Sequence, residues 1–248
     1  MTKVAIITGA SSGIGRVSAV ALSKKGWSVV LFARRSDKLL ETKELCQDPE
    51  QCFIVQGDVS NETDVLKLFQ ETLERFGRLD LLFNNAGSGA PPLSIEDMPL
   101  AVFQHVVNVN LIGTFLCTRE AVKIFKLQSL QGGRIINNGS ISAYTPRPNS
   151  APYTATKHAV LGLTKSTALD GRKFNITCTQ IDIGNAHTDM AARLSVGALQ
   201  PDGRIVPEQT FDVSHVGDAV AYLADLPHEV TVLTFNIMAT GMPFVGRG

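Results

Sequence analysis

The 248-residue chain has only four cysteines, Cys46, Cys52, Cys117 and Cys178, and no two of them form a C-x-x-C pair or stand at a metal-ligand spacing. A disulfide-stapled scaffold and a zinc module are therefore not expected, and the thiols read as buried and free in a reducing compartment. The five histidines form no H-E-x-x-H, so no metal site is expected. Net charge is missing as well: 23 Lys and Arg offset 23 Asp and Glu, which removes any bulk attraction for nucleic acid or an acidic membrane. No apolar run suits a bilayer span. The best stretch, Val102 to Cys117, is interrupted by Gln104, His105, Asn108 and Asn110, and Val4-Ala5-Ile6-Ile7 follows the first residues with no signal-like segment ahead of it. The expectation is a cytoplasmic protein whose partners include neither nucleic acid nor membrane.

What is present is an ordinary globular balance, 44% hydrophobic and 19% charged. Short apolar runs alternate with segments of helical period. Strands are predicted at Val4–Thr8, Val29–Ala33, Phe53–Gln56, Leu79–Phe83, Arg134–Asn137, Ile176–Ile181 and near Val232–Ile237. Helices are predicted at Ile14–Lys25, Lys38–Cys46, Asn61–Phe76, Ala101 to about Lys126, Tyr153–Leu169 and Val213–Leu226. Continuous apolar strands between amphipathic helices predict a parallel, doubly wound α/β sheet with helices on both faces. No linker or repeat interrupts the pattern, so a single domain spanning 1–248 is expected. Ser88–Pro99 and the proline-rich Thr145–Pro152 read as surface loops.

After the first strand comes Thr8-Gly9-Ala10-Ser11-Ser12-Gly13-Ile14-Gly15. Gly9 allows a sharp turn, Gly13 lets backbone approach a pyrophosphate, and Gly15 lets the next helix pack on the sheet. Free N–H groups at that helix start favour a phosphate. The spacing is not G-x-G-x-x-G, so the run alone suits a structural turn as well as a cofactor loop. The second strand ends Leu31-Phe32-Ala33-Arg34-Arg35, with no carboxylate to accept from an adenosine ribose. Arg34, Arg35 and Arg16 are guanidiniums that suit a 2′-phosphate, which favours NADP(H) over NAD(H). Asp37 lies too far beyond the strand for the ribose role.

Tyr153 and Lys157 stand four apart in Tyr153-Thr154-Ala155-Thr156-Lys157 and share a helix face. A phenol yields little phenolate near neutrality, and an adjacent ammonium stabilises that form. Tyr153 can then exchange a proton with a substrate oxygen while a nicotinamide exchanges a hydride with the adjacent carbon. Ser140, after the fifth strand, can donate to the same oxygen. Each of these features alone is equally a helix-surface pair or a loop residue.

Taken together, Thr8-Gly9-x-x-x-Gly13-x-Gly15, Asp58, Asn84-Asn85-Ala86-Gly87, Asn110, Ser140, Tyr153-x-x-x-Lys157, Gly184 and Thr188 resemble the short-chain dehydrogenase/reductase family over essentially the whole chain. The resemblance implies a Rossmann-type fold with a seven-stranded parallel sheet. It implies that Asp58 meets the adenine amino group with Val59 beside the ring, and that Asn85, Ala86 and Gly87 line the adenosine side. It implies that Asn110 completes a catalytic tetrad with Ser140, Tyr153 and Lys157 by fixing a kink in the long helix and a relay water. Lys157 would also bind the nicotinamide ribose, and Gly184 with Thr188 the carboxamide side. The cofactor loop would contribute Gly9, Ser11, Ser12, Gly13, Ile14, Gly15 and Arg16. A homodimer or homotetramer is implied, paired through Ala101–Lys126 and Tyr153–Leu169.

Three departures stand out. Ile183 replaces the family's usual proline before Gly184, Gly139 replaces a serine before Ser140, and the C-terminal Thr240–Gly248 is unlike the common family ending. Substrate choice is expected from Ser88–Met98, Ala143–Pro152 and Asp189–Gln209. There Arg147 is either a contact for an acidic group or an exposed loop charge, and Met190, Leu194 and Val196 are either an apolar lid or helix packing. The expected activity is hydride transfer between NADP(H) and a small or medium, partly apolar carbonyl or secondary alcohol. An NAD-dependent enzyme of the same fold and a catalytically silent cofactor-binding sensor or scaffold are the alternatives.

Overall fold

The computed structural model describes residues 2–188, 192 and 196–245. Strands β1 (Val4–Thr8), β2 (Ser28–Ala33), β3 (Cys52–Gln56), β4 (Leu81–Asn84), β5 (Gly133–Asn138) and β6 (Ile176–Gly184) alternate with α1 (Gly13–Lys24), α2 (Ser36–Leu45), α3 (Glu62–Phe76), α4 (Leu100–Val107), α5 (Gly113–Leu127) and α6 (Ala151–Gly171). A short pair, β7 (Ala198–Leu199) and β8 (Ile205–Val206), precedes α7 (Ser214–Asp225) and the last strand β9 (Thr234–Met238). The large sheet has seven parallel strands in the order β3-β2-β1-β4-β5-β6-β9. Its order reverses between β1 and β4, which opens a crevice at the carboxyl ends of those strands.

Alternation along β1 explains the two-sided core. Ala5 and Ile7 face one apolar layer with Leu22, Val216 and Val220, and Val4 and Ile6 face the other with Leu68, Leu116 and Phe125. The four cysteines are buried and free. Helix α3 begins where the Asn61 side chain accepts from the N–H groups of Thr63 and Asp64, and it ends at Gly77 with φ +73°.

Several boundaries differ from the sequence expectation. Leu79 is not in β4, because its N–H and carbonyl are taken by the Gln128 amide at 3.1 and 2.8 Å. β6 runs on to Gly184, since Asp182, Ile183 and Gly184 pair with Asn236, Ile237 and Met238 of β9. α6 starts at Ala151 rather than Tyr153, with Pro152 in its first turn, where the missing N–H costs nothing. The β7–β8 pair was not anticipated.

The long helix also contains a π turn, Asn108–Ile112, that joins α4 to α5. The joined run, Leu100–Leu127, is 28 residues long and apolar enough to cross a membrane by length and composition. Contrary to the sequence reading, the interrupting polar residues do not remove that property. The run nevertheless packs on α3, β4, β5 and α6, so it is a helix of the folded domain. Met190 and Leu194 of the expected lid, and the last three residues of the tail, lie outside the described residues. Val196 is 82% exposed.

Candidate active site

At the crevice the chain leaves β1 through Gly9, φ +66°, and enters α1 at Gly13, φ +51°. A Cβ at Gly9 would lie 2.9 Å from the Ala86 Cα, and one at Gly15 2.3 Å from the Gly9 carbonyl oxygen, so only glycine lets these segments meet. Ser12 precedes α1 in extended conformation and makes no side-chain cap, which leaves the first N–H groups of the helix facing the crevice. Thr8 Oγ1 accepts from the Asn85 and Ala86 N–H groups at 3.0 Å each, and Asn138 Nδ2 donates to Asn85 Oδ1 at 2.9 Å. These bonds tie the ends of β1, β4 and β5 together.

At one end of the crevice Arg35 Nη2 donates to Ser11 Oγ and Ser12 Oγ, both at 3.0 Å. Arg34 Nη1 lies 3.8 Å from Asp58 Oδ2. Asp58 and Val59 line the same region with Gly57. Arg16 is placed differently. Its guanidinium donates to the Ser11 carbonyl at 2.9 Å, Thr42 Oγ1 at 3.1 Å and Glu41 at 3.0 Å, so it braces α1 against α2 and does not line the crevice.

At the other end Ser140, Tyr153 and Lys157 line one continuous crevice of about 450 Å³ with Asn85, Ala86, Gly87, Gly184 and Thr188. Lys157, 5% exposed, donates from Nζ to the Asn138 carbonyl at 2.7 Å and lies 5.3 Å from the Tyr153 ring centre. Ser140 Oγ accepts from the Ser142 N–H at 3.1 Å. Asn110 sits inside the π turn, buried. Its Oδ1 accepts from the Ser88 N–H at 2.7 Å, and its Nδ2 donates to the Ser88 carbonyl and to Thr156 Oγ1. From the π turn the Asn110 side-chain amide thus bridges the loop after β4 and the helix carrying Tyr153 and Lys157.

Sequence reasoning left other crevice residues unassigned. Ser142, Asn149 and Ser150 line it. Asp182 is buried beneath Ser140, and the only hint of it was a carboxylate between two isoleucines. Arg147 is neither free for an acidic ligand nor an exposed loop charge: it pairs with the buried Glu208 and with Asn185. Gly139 and Gly184 are explained by neighbours. A Cβ at Gly139 would lie 2.3 Å from Asp182 Oδ1, and one at Gly184 2.6 Å from the sulfur of Met242, which brings the C-terminal segment against Ile141 beside the site.

An open parallel sheet with a glycine-lined helix start at its switch point, and a Ser, Tyr and Lys set across the same crevice, defines an oxidoreductase of the dinucleotide-binding class. The chain belongs to the short chain dehydrogenase family, whose model matches residues 3–197. It is 33% identical over 240 residues to a 3-oxoacyl-[acyl-carrier-protein] reductase of Synechocystis sp., covering 95% of each chain. Among solved structures it is similar to the 3-ketoacyl-(acyl-carrier-protein) reductase of Brucella melitensis complexed with NADH, at 30% identity, TM-score 0.84 and coverage of 95% and 96%. It is also similar to actinorhodin polyketide ketoreductase with NADPH, at 30% identity, TM-score 0.83 and 96% coverage of each chain.

Proposed function

We propose that the protein uses NADP(H) to interconvert a small ketone or aldehyde and an alcohol, working as a carbonyl reductase with Tyr153 as the acid/base. The carrying observation is the placement of Ser140, Tyr153 and Lys157 in the same crevice as the α1 start and Arg35. The uncapped N–H groups of α1, with Gly9 and Gly13 removing side chains beside them, fit a pyrophosphate. Arg35, held by Ser11 and Ser12, and Arg34 fit a 2′-phosphate, and Asp58 and Val59 fit the adenine. Lys157 would hold the ribose next to the reacting ring, with Gly184 and Thr188 on its carboxamide side.

With a nicotinamide bound there, the hydride would come from it or go to it. The protein does the rest. Ser140 donates a hydrogen bond to the substrate oxygen and orients it. Tyr153 gives that oxygen a proton in reduction and takes it back in oxidation. The Lys157 ammonium favours the phenolate left behind. Asn110 keeps α6 and the Ser88 loop in register, and it would support a water through which the proton is replaced.

The two structures and the relative named above are reductases by name, which favours the reducing direction. An NAD-dependent reading has one observation in its favour, the NADH in the Brucella structure; against it, no carboxylate ends β2. Ile112, Phe115 and Leu169 leave apolar surface on the π turn, α5 and α6, which supports pairing of two copies through those helices. Sedimentation at micromolar concentration tests this, and a stable monomer contradicts it.

The test of the function is NADPH consumption over a panel of ketones and aldehydes. Wild type should turn over at least one of them. Tyr153→Phe should bind NADPH with unchanged affinity and lose at least about 100-fold in rate. Turnover by that variant near the wild-type rate refutes the mechanism, and no turnover by wild type favours a silent cofactor-binding protein.

A further inference from the structure

The buried carboxylate of Asp182 has no part in the scheme above, yet it lies directly against it. The Asp182 residue is 1% exposed, near the end of β6. Three donors converge on it: the Ser140 N–H at 2.9 Å and Gln180 Nε2 at 2.8 Å on Oδ1, and the Tyr144 hydroxyl at 3.0 Å on Oδ2. They come from the end of β5, from β6 itself, and from the residue after the 3-10 turn Ile141–Ala143. Burying an ionised carboxylate costs several kcal/mol unless hydrogen bonds and a counter-charge offset it. Here the local sequence is arranged around it: Gly139 lacks a side chain where a Cβ would lie 2.3 Å from Oδ1 and 2.5 Å from Gln180 Cγ.

We propose that Asp182 is a positioning residue for catalysis: its carboxylate fixes the backbone from which the Ser140 hydroxyl projects, and its negative charge counterbalances Lys157. The proposal rests on the roles given above to Ser140 and Lys157. An apolar residue would fill the same volume but leave the Ser140 N–H, the Gln180 amide and the Tyr144 hydroxyl buried without a partner. The carboxylate binds all three and adds a charge.

Burial raises the Asp182 pKa, the bonds from Gln180, Tyr144 and Ser140 and the charge of Lys157 draw it back, and the net direction is upward. Burial, the Asp182 charge and the bond to its carboxylate push the Tyr144 phenol up to about 12. Among the described residues, the titratable groups facing Asp182 are Tyr144 and Lys157 of α6. β9 brings the neutral Asn236 alongside, in register with Asp182. Arg147 and Glu208, the next charges along the chain's fold, pair with each other.

The test uses two substitutions. Asp182→Asn keeps an oxygen for the Ser140 N–H and the Gln180 amide and offers an N–H to the Tyr144 oxygen, so geometry survives while the charge goes. Asp182→Ala removes both. With a substrate found for wild type, Asp182→Ala should lower kcat by about 10- to 100-fold with the KM for NADPH unchanged. Asp182→Asn should recover most of that loss. In the oxidation direction it should also move the pH of half-maximal rate downward by about half a unit or more, because Lys157 is no longer offset.

A readout free of turnover comes from the three tyrosines of the chain. With Tyr153 and Tyr222 replaced by Phe, ultraviolet titration follows Tyr144 alone. It should ionise at clearly lower pH once Asp182→Asn is added. Should Asp182→Ala fail to fold, Tyr144→Phe takes its place, with a smaller fall in kcat expected. An unmoved pH profile and Tyr144 titration in Asp182→Asn, or wild-type kcat in Asp182→Ala, overturns the proposal and leaves the proposed function standing. Absence of NADPH turnover in wild type overturns both.

Discussion

Arg147 and Glu208 join the loop ahead of Tyr153 to the segment that follows β8, and breaking them should unfasten the rim of the crevice. The Glu208 side chain is 1% exposed and that of Arg147 18%. Arg147 Nη2 donates to Glu208 Oε2 at 2.6 Å, and Gln200 Nε2 and Asn185 Nδ2 donate to the same carboxylate at 2.9 Å each. Burial pushes the Glu208 carboxyl up, but the bonds from Arg147, Asn185 and Gln200 and the Arg147 charge outweigh it and hold the group at about 2, against an ordinary 4.5.

That depression corresponds to about 3 kcal/mol of folding stability. Because the folded value is the lower one, the contribution is complete above the ordinary carboxylate range and is lost as pH falls through it towards about 2. Arg147→Met removes the Arg147 charge and its bonds from the buried Glu208. At neutral pH this should cost about 3 kcal/mol, or about 6–12 °C in Tm for a chain of this size. The variant should also lose less stability on acidification than wild type, since protonating Glu208 no longer breaks its pair with Arg147. Urea unfolding followed by the fluorescence of the single tryptophan, Trp27, measures both effects. Equal stability at neutral pH together with an identical acid slope would refute this account of the pair.

Two further outcomes are expected. Arg35→Ala should weaken NADPH binding by about 10- to 100-fold, the loss of a charge-assisted contact, and leave NADH affinity nearly unchanged; equal losses for both cofactors in fluorescence titration would mean that Arg35 braces Ser11 and Ser12 without selecting a phosphate. Asn110→Ala strands the Ser88 N–H and carbonyl and should lower kcat by about 10-fold or more with Tyr153 intact, and unchanged stopped-flow rates would remove Asn110 from the mechanism.

The alternation of apolar strands and periodic helices was enough to foresee the parallel sheet, because burial on both faces demands continuous runs such as Val29–Ala33. Boundaries failed where a distant side chain intervened: Gln128 takes the Leu79 backbone, and β9 extends β6 beyond Ile181. The glycine run and the Tyr153/Lys157 pair were legible because their spacing is local. The brace that Arg16 makes between α1 and α2 was not legible, because its partners Glu41 and Thr42 lie on another helix. Asp182 and Glu208 were illegible for the same reason. Nothing in the neighbourhood of Ile181-Asp182-Ile183 tells that Tyr144 and Ser140 converge on it, and nothing near Glu208 points to Arg147. The π turn Asn108–Ile112 was legible only as the kink that the resemblance implies at Asn110, because nothing else marks this apolar stretch but its two asparagines, Asn108 and Asn110.

In the proposed reaction the Tyr153 phenol protonates the oxygen of a carbonyl that receives a hydride from NADPH. Reduction with NADPH deuterated at the transferring position of the nicotinamide tests it most directly. Wild type should place one deuterium on the carbinol carbon, and Tyr153→Phe, still binding the cofactor, should form no labelled alcohol at a comparable rate. Labelled product from the phenylalanine variant at the wild-type rate, or unlabelled alcohol from wild type, would contradict it.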